Sequence, residues 1–295
     1  MRILYSQIKE LVPILKARPQ EIGEILTFLG FMMDEFKEVK YRDKKDYLLS
    51  FEIRQNRPDC LSVIGLAKEI AACYGLKIHL PEGPLIAPVS KEKLDIRIKD
   101  VEHVKKVMAV RIDGLEKRES PGWLKEYLAF YEINSVNLPV DLSNYLMLFT
   151  GYSSHLLDVD RIHGQISWSL NTSFDEITTL AGPKIKLNKN ELVIRDNINI
   201  LALAGIIGSR TAEIGFRTKS IIVEMAIYQP SIIRRDSRKL NIVTEASQRL
   251  TKNLDPDGLD FAFRLLVSLL LENCRGKIAS QVFQYFPKKE KKPEI

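Results

Sequence analysis

The run Ile221-Ile222-Val223-Glu224-Met225-Ala226-Ile227 most constrains what this chain can become. An apolar stretch of this length, free of glycine and proline, predicts a buried strand. Glu224 is then carried into the interior, and a buried carboxylate is costly unless something pairs with it. The polar stretch Thr244-Glu245-Ala246-Ser247-Gln248-Arg249 follows downstream and offers candidate partners.

At 295 residues the chain has room for about two domains. Its 45% apolar and 28% charged content is ordinary for a soluble globular protein with real cores. The most apolar run, Leu259 to Leu271, is broken by Asp260, Arg264 and Ser268 and is shorter than the roughly 20 residues a bilayer needs. No membrane span is expected, and the N-terminus has no signal-peptide core. The three cysteines, Cys60, Cys73 and Cys274, show neither metal spacing nor a disulfide framework, so no metal site is expected and the reducing cytoplasm is the natural compartment. A net charge of +6 and a pI near 9.0 suit a polyanionic partner such as RNA. Mild basicity is common, however, and Lys288-Lys289-Glu290-Lys291-Lys292 supplies part of the excess.

Periodicity organises the rest. Gln20 to Leu29 places Ile22, Ile25, Leu26 and Leu29 on one helical face, and Gly30 stops the helix. Lys37 to Lys45 reads as a charged connector and Tyr47 to Ile53 as a strand. Cys60 to Tyr74 is a helix with Asp59 as its expected N-cap and Gly75 at its end. Leu80-Pro81-Glu82-Gly83-Pro84 marks a boundary. Beyond it, Leu94 to Ile98 and Val107 to Ile112 read as strands. Ser120 is the expected cap of a helix with Pro121 in its first turn, and Asp141 to Phe149 is a further helix. Glu191 to Ile194 and Ile200 to Leu203 flank Arg195-Asp196-Asn197 as a hairpin, and Leu259 to Asn273 is a mostly buried helix. Mixed elements without regular strand–helix alternation predict an α+β fold. A small helix-rich domain is expected over 1–85, a larger mixed domain over 86–286, and a charged tail over 287–295.

Val223-Glu224-Met225-Ala226 with Thr244-Glu245-Ala246, taken together with Asn56-Arg57-Pro58-Asp59-Cys60-Leu61, resembles the β-subunit of bacterial phenylalanyl-tRNA synthetase. Asn56-Arg57-Pro58-Asp59-Cys60-Leu61 with Gly65-Leu66-Ala67-Lys68-Glu69 is similar to the segment closing that family's N-terminal domain. Asp141-Leu142-Ser143-Asn144-Tyr145, followed by Gly151, His155 and Asp158, resembles its next helix and turn. Here Tyr152-Ser153-Ser154 replaces the usual Gln-Pro-Met. Leu203-Ala204-Gly205-Ile206-Ile207-Gly208 resembles the glycine turn beside the family's editing pocket; read by itself it is a tight turn after a strand. It has neither dinucleotide nor P-loop spacing.

The resemblance implies an editing domain that hydrolyses tyrosine wrongly esterified to tRNA(Phe). It implies that His155, Glu224 and Thr244 serve the reaction, and that Gly205, Ala246 and Asn134 line the substrate pocket. A buried acceptor at Glu224 would penalise phenylalanine, which leaves it unpaired. Arg249 and Asp255-Pro256 look like framework. Arg234, Arg235, Arg238 and Lys239 can hold RNA phosphates, a solvated charged face being the common alternative. The implied partners are tRNA(Phe), the synthetase α-subunit and tyrosine or mischarged aminoacyl-tRNA. No cofactor is implied here, since ATP and Mg would act at the α-subunit. The family's inserted oligonucleotide-binding domain and its C-terminal half have no counterpart in this sequence. Asn134 stands where many members place arginine, Asn241 replaces a glycine, and Leu250-Thr251-Lys252 replaces an aromatic-Glu-basic run. Those departures keep a second reading open, a structural or RNA-binding part with a degenerate pocket.

Overall fold

The computed structural model describes residues 1–83, 90–116, 119–173, 175–215 and 217–287. The chain divides into two compact units, Met1–Pro84 with Arg118–Tyr152, and Leu85–Lys117 with Ser153–Ile295. The expected domain over 1–85 thus gains residues 118–152, and the chain crosses between units three times rather than once. Residues 288–295 of the charged tail, and Pro84 of the boundary motif, lie outside the described residues.

The first unit holds strand β1 (Arg2–Leu4), helices α1 (Tyr5–Leu11) and α2 (Pro19–Phe28), strands β2 (Met33–Tyr41) and β3 (Lys44–Phe51), and helix α3 (Val63–Cys73). Helices α4 (Gly122–Phe130) and α5 (Leu138–Thr150) complete it, and its sheet has the order β1-β3-β2. The expected connector over Lys37 to Lys45 is a hairpin. Arg42 and Asp43 both take positive φ, 51° and 59°, the backbone of a two-residue turn whose twist matches its strands. Residues 118–152 join this unit through aromatic packing and backbone contacts. Tyr41 lies against Tyr127 and Phe130, with ring centroids 6.4 and 6.1 Å away. The Arg2 guanidinium donates to the Phe130 carbonyl at 2.6 Å, and the Tyr131 hydroxyl donates to the Arg2 carbonyl at 2.6 Å.

Two expected caps are corrected. Ser62, not Asp59, caps α3, accepting from the Gly65 amide at 3.0 Å. Asp59 instead sits in a short 3-10 turn, Pro58–Cys60. Ser120 does not cap α4, because its hydroxyl is spent on the buried Asp141 carboxylate at 2.5 Å. Pro121 precedes the helix without a side-chain cap.

The second unit is built on two five-stranded sheets. Its strands are β4 (Ile96–Ile98), β5 (Val104–Asp113), β6 (His155–Asp158), β7 (Ile166–Leu170), β8 (Asp175–Thr178), β9 (Lys184–Leu187), β10 (Leu192–Arg195), β11 (Ile200–Leu203), β12 (Ile207–Gly208), β13 (Ile221–Tyr228), β14 (Lys277–Ile278) and β15 (Phe283–Tyr285). One sheet runs β12-β11-β10-β7-β4. The other runs β14-β5-β13-β6, with β15 also on β5. Strands β8 and β9 form a separate hairpin. Only β4 and β7 pair in parallel among the described strands. Helices α6 (Pro230–Leu240), α7 (Glu245–Leu250) and α8 (Gly258–Cys274) follow β13. Every residue of β13 is buried, as its apolar sequence requires. The fold class is α+β. No helix among the described residues is long and apolar enough to cross a membrane.

Candidate active site

The site begins with strand pairing. β13 lies between β5 and β6, and register sets Glu224 opposite His155 on one side and Ala109 on the other. Directly paired residues point to the same sheet face, with Cβ atoms about 5 Å apart. Glu224 is 4% exposed, and its Oε1 has no hydrogen-bond partner among the described residues. The His155 Nε2 is likewise buried and unpartnered. Burial pushes the Glu224 carboxyl up to about 8, against a smaller lowering by Tyr228. Burial pushes the His155 imidazole down to about 4. Both side chains are therefore neutral at pH 7, the state a buried group takes when no counter-charge is present.

The expected partner of the Glu224 carboxyl in the Thr244–Arg249 stretch is not the one it has. Arg249 is 2% exposed and pairs with Glu245 one helical turn back, at 2.5 Å. Glu224 is hydrogen-bonded by Tyr228, four residues along its own strand. The Tyr228 hydroxyl in turn accepts the indole N–H of Trp168, on β7 of the other sheet, at 3.1 Å. Tyr228 and Trp168 thus hold Glu224 from behind. Sequence reasoning missed both. A buried tyrosine and tryptophan each need a polar partner, but nothing local says that they find each other.

The turn from Gly205 to Gly208 closes over this pair. Gly205 has φ +67°, and a Cβ on it would lie 3.0 Å from the Tyr228 ring and from Ile233. At Gly208 a Cβ would lie 2.5 Å from His155 Nε2. Thr244 latches the turn from outside. Its hydroxyl donates to the Ile206 carbonyl at 2.8 Å and accepts the Ser247 amide at 3.1 Å as the N-cap of α7. The Thr244 proton is therefore committed to the protein. Ala246 follows two residues later on α7 and is partly exposed.

The remaining expected site residues fall elsewhere. Asn134 is exposed and belongs to the first unit, whereas Glu224 and His155 belong to the second. Arg234, Arg235, Arg238 and Lys239 share the outer side of α6, whose buried residues are Ile232, Ile233, Asp236 and Ser237. Three of these cations have local work. Arg234 donates to the Thr251 carbonyl at 2.8 Å, and Arg235 to the Asp236 carboxylate at 2.8 Å. Lys239 stands 2.7 Å from the fully buried Glu191, a charge contact without hydrogen-bond geometry. Arg238 is exposed, and its side chain has no ion pair or hydrogen bond among the described residues. Asn241, where the resemblance expects glycine, ends α6 with φ 52°, a left-handed position that asparagine tolerates best after glycine.

The sharpest sequence motif carries no such chemistry. Asp59, Cys60 and Glu69 bring three potential metal ligands within 4.8 Å of one another. The Arg57 guanidinium already fills that space. Its Nη2 reaches Asp59 at 2.7 Å, Glu69 at 2.7 Å and the Cys60 sulfur at 3.0 Å. A cation is thus built into the motif.

Comparisons with known proteins identify relatives of this chain. The β-subunit of phenylalanine–tRNA ligase from Fusobacterium nucleatum is 34% identical over 263 residues, covering 88% of this chain and 33% of that protein. The Aquifex aeolicus β-subunit is 35% identical over 246 residues, covering 82% of this chain and 31% of that protein. The chain thus spans about a third of the length of the curated relatives it matches. A crystal structure of an N-terminal fragment of the phenylalanyl-tRNA synthetase β-subunit from Pyrococcus horikoshii matches with a TM-score of 0.46 at 16% identity, covering 96% of this chain and 78% of that one. The B3/4 domain model matches residues 103–275, more than half of the sequence and every strand and helix that builds the Glu224–His155 pair, so the chain belongs to the B3/4 domain family.

Proposed function

We propose that this chain is the proofreading portion of a phenylalanine–tRNA ligase β-subunit and hydrolyses tyrosine wrongly esterified to tRNA(Phe). The observation that carries the reading is the pair of buried, unpartnered polar atoms, Glu224 Oε1 and His155 Nε2, on facing residues. A tyrosine phenol brings one donor and two acceptor lone pairs. The neutral Glu224 carboxyl and neutral His155 imidazole together offer a donor and an acceptor to match it. Phenylalanine fills the same volume and satisfies neither. Each buried group left unpaired costs about 1–3 kcal/mol. That asymmetry lets a hydrogen-bonding site reject the analogue lacking the hydroxyl.

The ester is cleaved by a positioned water attacking the carbonyl carbon. The proton goes to the departing 3′-terminal ribose oxygen, and free tyrosine and intact tRNA result. Orientation of ester and water supplies the acceleration. Glu224 and His155 hold the ring end, Ala246 keeps the channel wide, and Gly205 sets the turn. Both orphan atoms are sealed from solvent, so the ligand enters by lifting the Gly205–Gly208 turn. Thr244 then acts through its bond to Ile206, and substrate competes for that hydroxyl. The α6 cations belong to the same proposal as phosphate contacts. Amino-acid activation with ATP and Mg is assigned to the α-subunit, the proposed partner. The compartment is the cytoplasm, where tRNA is charged.

A second reading has specific support. Thr244 is already committed, and asparagine at 134 lacks the forked donors of arginine. A structural or RNA-binding role with a silent pocket would leave the same fold. Hydrolysis of Tyr-tRNA(Phe) against Phe-tRNA(Phe) separates the two. The editing reading expects selective tyrosine release, lost in Glu224→Ala and Ala246→Trp. No release by the wild-type chain, with tRNA binding verified and the α-subunit added, supports the silent pocket.

A further inference from the structure

The β12-β11-β10-β7-β4 sheet carries a polar cleft on the face away from Trp168. The cleft encloses about 340 Å³ and is lined by Lys99, Gln165, Ser167, Ser169, Thr172 and Arg195, with Leu170 its one apolar residue, together with residues of the β10–β11 turn. Strand register explains the lining. Trp168 points into the core toward Tyr228, so its neighbours Ser167 and Ser169 face outward. Ser167 pairs with Arg97 on β4 and with Arg195 on β10. A cation thus stands on each side of a serine floor, and Lys99 follows two residues beyond Arg97. Arg97, Lys99 and Arg195 have no ion pair or side-chain hydrogen bond among the described residues. The Ser167 hydroxyl, on a residue 3% exposed, also lacks a partner there.

The acidic groups nearby are already occupied. Asp196 accepts the amides of Ile198, Asn199 and His163, at 2.8, 2.6 and 2.8 Å. Asp95 accepts the Gln165 amide at 2.7 Å. Free cations and hydroxyls, beside carboxylates that are already hydrogen-bonded, favour an anion. A small apolar ligand is a poor fit, because such ligands take pockets lined mainly by apolar side chains. Arginine forks and serine hydroxyls are the groups that hold phosphate oxygens without reading sequence.

We infer that the Arg97–Ser167–Arg195 row with Lys99 is a phosphodiester-binding trough that holds a backbone segment of RNA on the outer face of this sheet. The inference rests on the proposed RNA substrate and adds a contact surface distinct from the Glu224 pocket and from α6. It positions the RNA and does no chemistry.

Binding of uncharged tRNA(Phe) to the full chain over a range of salt tests it. The variants are Arg97→Ala/Lys99→Ala/Arg195→Ala and Ser169→Asp, each checked by thermal melting. The triple variant is expected to bind about tenfold more weakly, with a plot of log affinity against log salt shallower by roughly two. Ser169→Asp, which puts a carboxylate on the floor, is expected to weaken binding while the other cations remain. Unchanged affinity and slope in a folded triple variant overturn the trough, as does a wild-type chain that binds no tRNA. Retained tRNA binding with loss of poly-glutamate binding also overturns it, and assigns the cleft to an acidic protein surface. A chain that binds through the trough yet never hydrolyses Tyr-tRNA(Phe) sinks the editing reading and leaves the trough standing.

Discussion

His155 and Glu224 face each other across the β6–β13 ladder, and each is held neutral by burial from the opposite direction. Their effects on stability therefore oppose each other. Glu224 is raised from 4.5 to about 8, so the folded state keeps a proton that the unfolded chain releases. Its contribution is fully present below pH 4.5 and declines as pH rises through 8. His155 is lowered from 6.5 to about 4, so its contribution is present above 6.5 and is lost as pH falls toward 4. Between 4.5 and 6.5 the two slopes cancel. Between 6.5 and 8 only Glu224 acts, and stability is expected to fall by roughly 2 kcal/mol. Urea unfolding across that window is expected to show the decline in the wild type and not in Glu224→Gln. An equal decline in both would mean that another group titrates.

Tyr228→Phe removes the hydroxyl that supports Glu224 from behind. It leaves the Trp168 indole N–H without its 3.1 Å acceptor and removes the one contact that lowers the Glu224 titration. A buried donor left unsatisfied costs about 1–3 kcal/mol. The variant should lose about that much stability, and its pH-dependent decline should extend above 8. If the editing reading holds, tyrosine selectivity falls as well, because the carboxyl loses its orientation. Stability unchanged in Tyr228→Phe would show that the hydroxyl supports neither Glu224 nor Trp168.

The helices α2 and α3, strand β13 and the β10–β11 hairpin were legible because each has a period and a stop signal of its own. Lys37 to Lys45 was not, because a hairpin turn built from Arg42 and Asp43 lacks the glycine or asparagine that normally announces positive φ. The partition was not legible either. Tyr41 seeks Tyr127 and Phe130 across a long sequence separation, and no local pattern records that. At the site, Glu224 was visible as a carboxylate in an apolar run. Trp168 and Tyr228 were invisible because a core aromatic looks the same with or without a hydrogen-bonding duty.

Gly208 and His155 form a steric pair. A methyl group at Gly208 would meet His155 Nε2 at 2.5 Å and the Leu180 side chain at 2.6 Å. The leucine can rotate, but the imidazole is packed against β13. Gly208→Ala is expected to destabilise by about 1–3 kcal/mol, the usual cost of overpacking. His155→Ala in the same chain should recover part of that loss, giving a coupling energy above about 0.5 kcal/mol in a double-mutant cycle. Strict additivity of the two changes would show that Leu180, not His155, is the obstacle.

Gly65 explains why the Arg57-Pro58-Asp59-Cys60 motif is followed so closely by glycine. The 3-10 turn folds back onto the first turn of α3, where Ser62 ties the two by donating to the Asp59 carbonyl at 2.6 Å and accepting from the Gly65 amide. A Cβ on Gly65 would sit 2.0 Å from the Asp59 carbonyl oxygen and 2.6 Å from its carbon. Those are backbone atoms, so no rotamer relieves the clash. The turn must lift away, and with it Asp59 and the buried Cys60 leave the Arg57 guanidinium that joins them to Glu69. Gly65→Ala is therefore expected to cost more than about 3 kcal/mol, beyond ordinary overpacking. Thiol labelling gives an independent readout. Cys60 is buried and its thiol is pushed up by that burial, whereas Cys73 is exposed, so the native chain should label at Cys73 first. In Gly65→Ala, Cys60 should label faster under conditions where the rest of the chain stays folded. Melting and labelling both indistinguishable from the wild type would show that the turn and the helix are not locked together as the geometry requires.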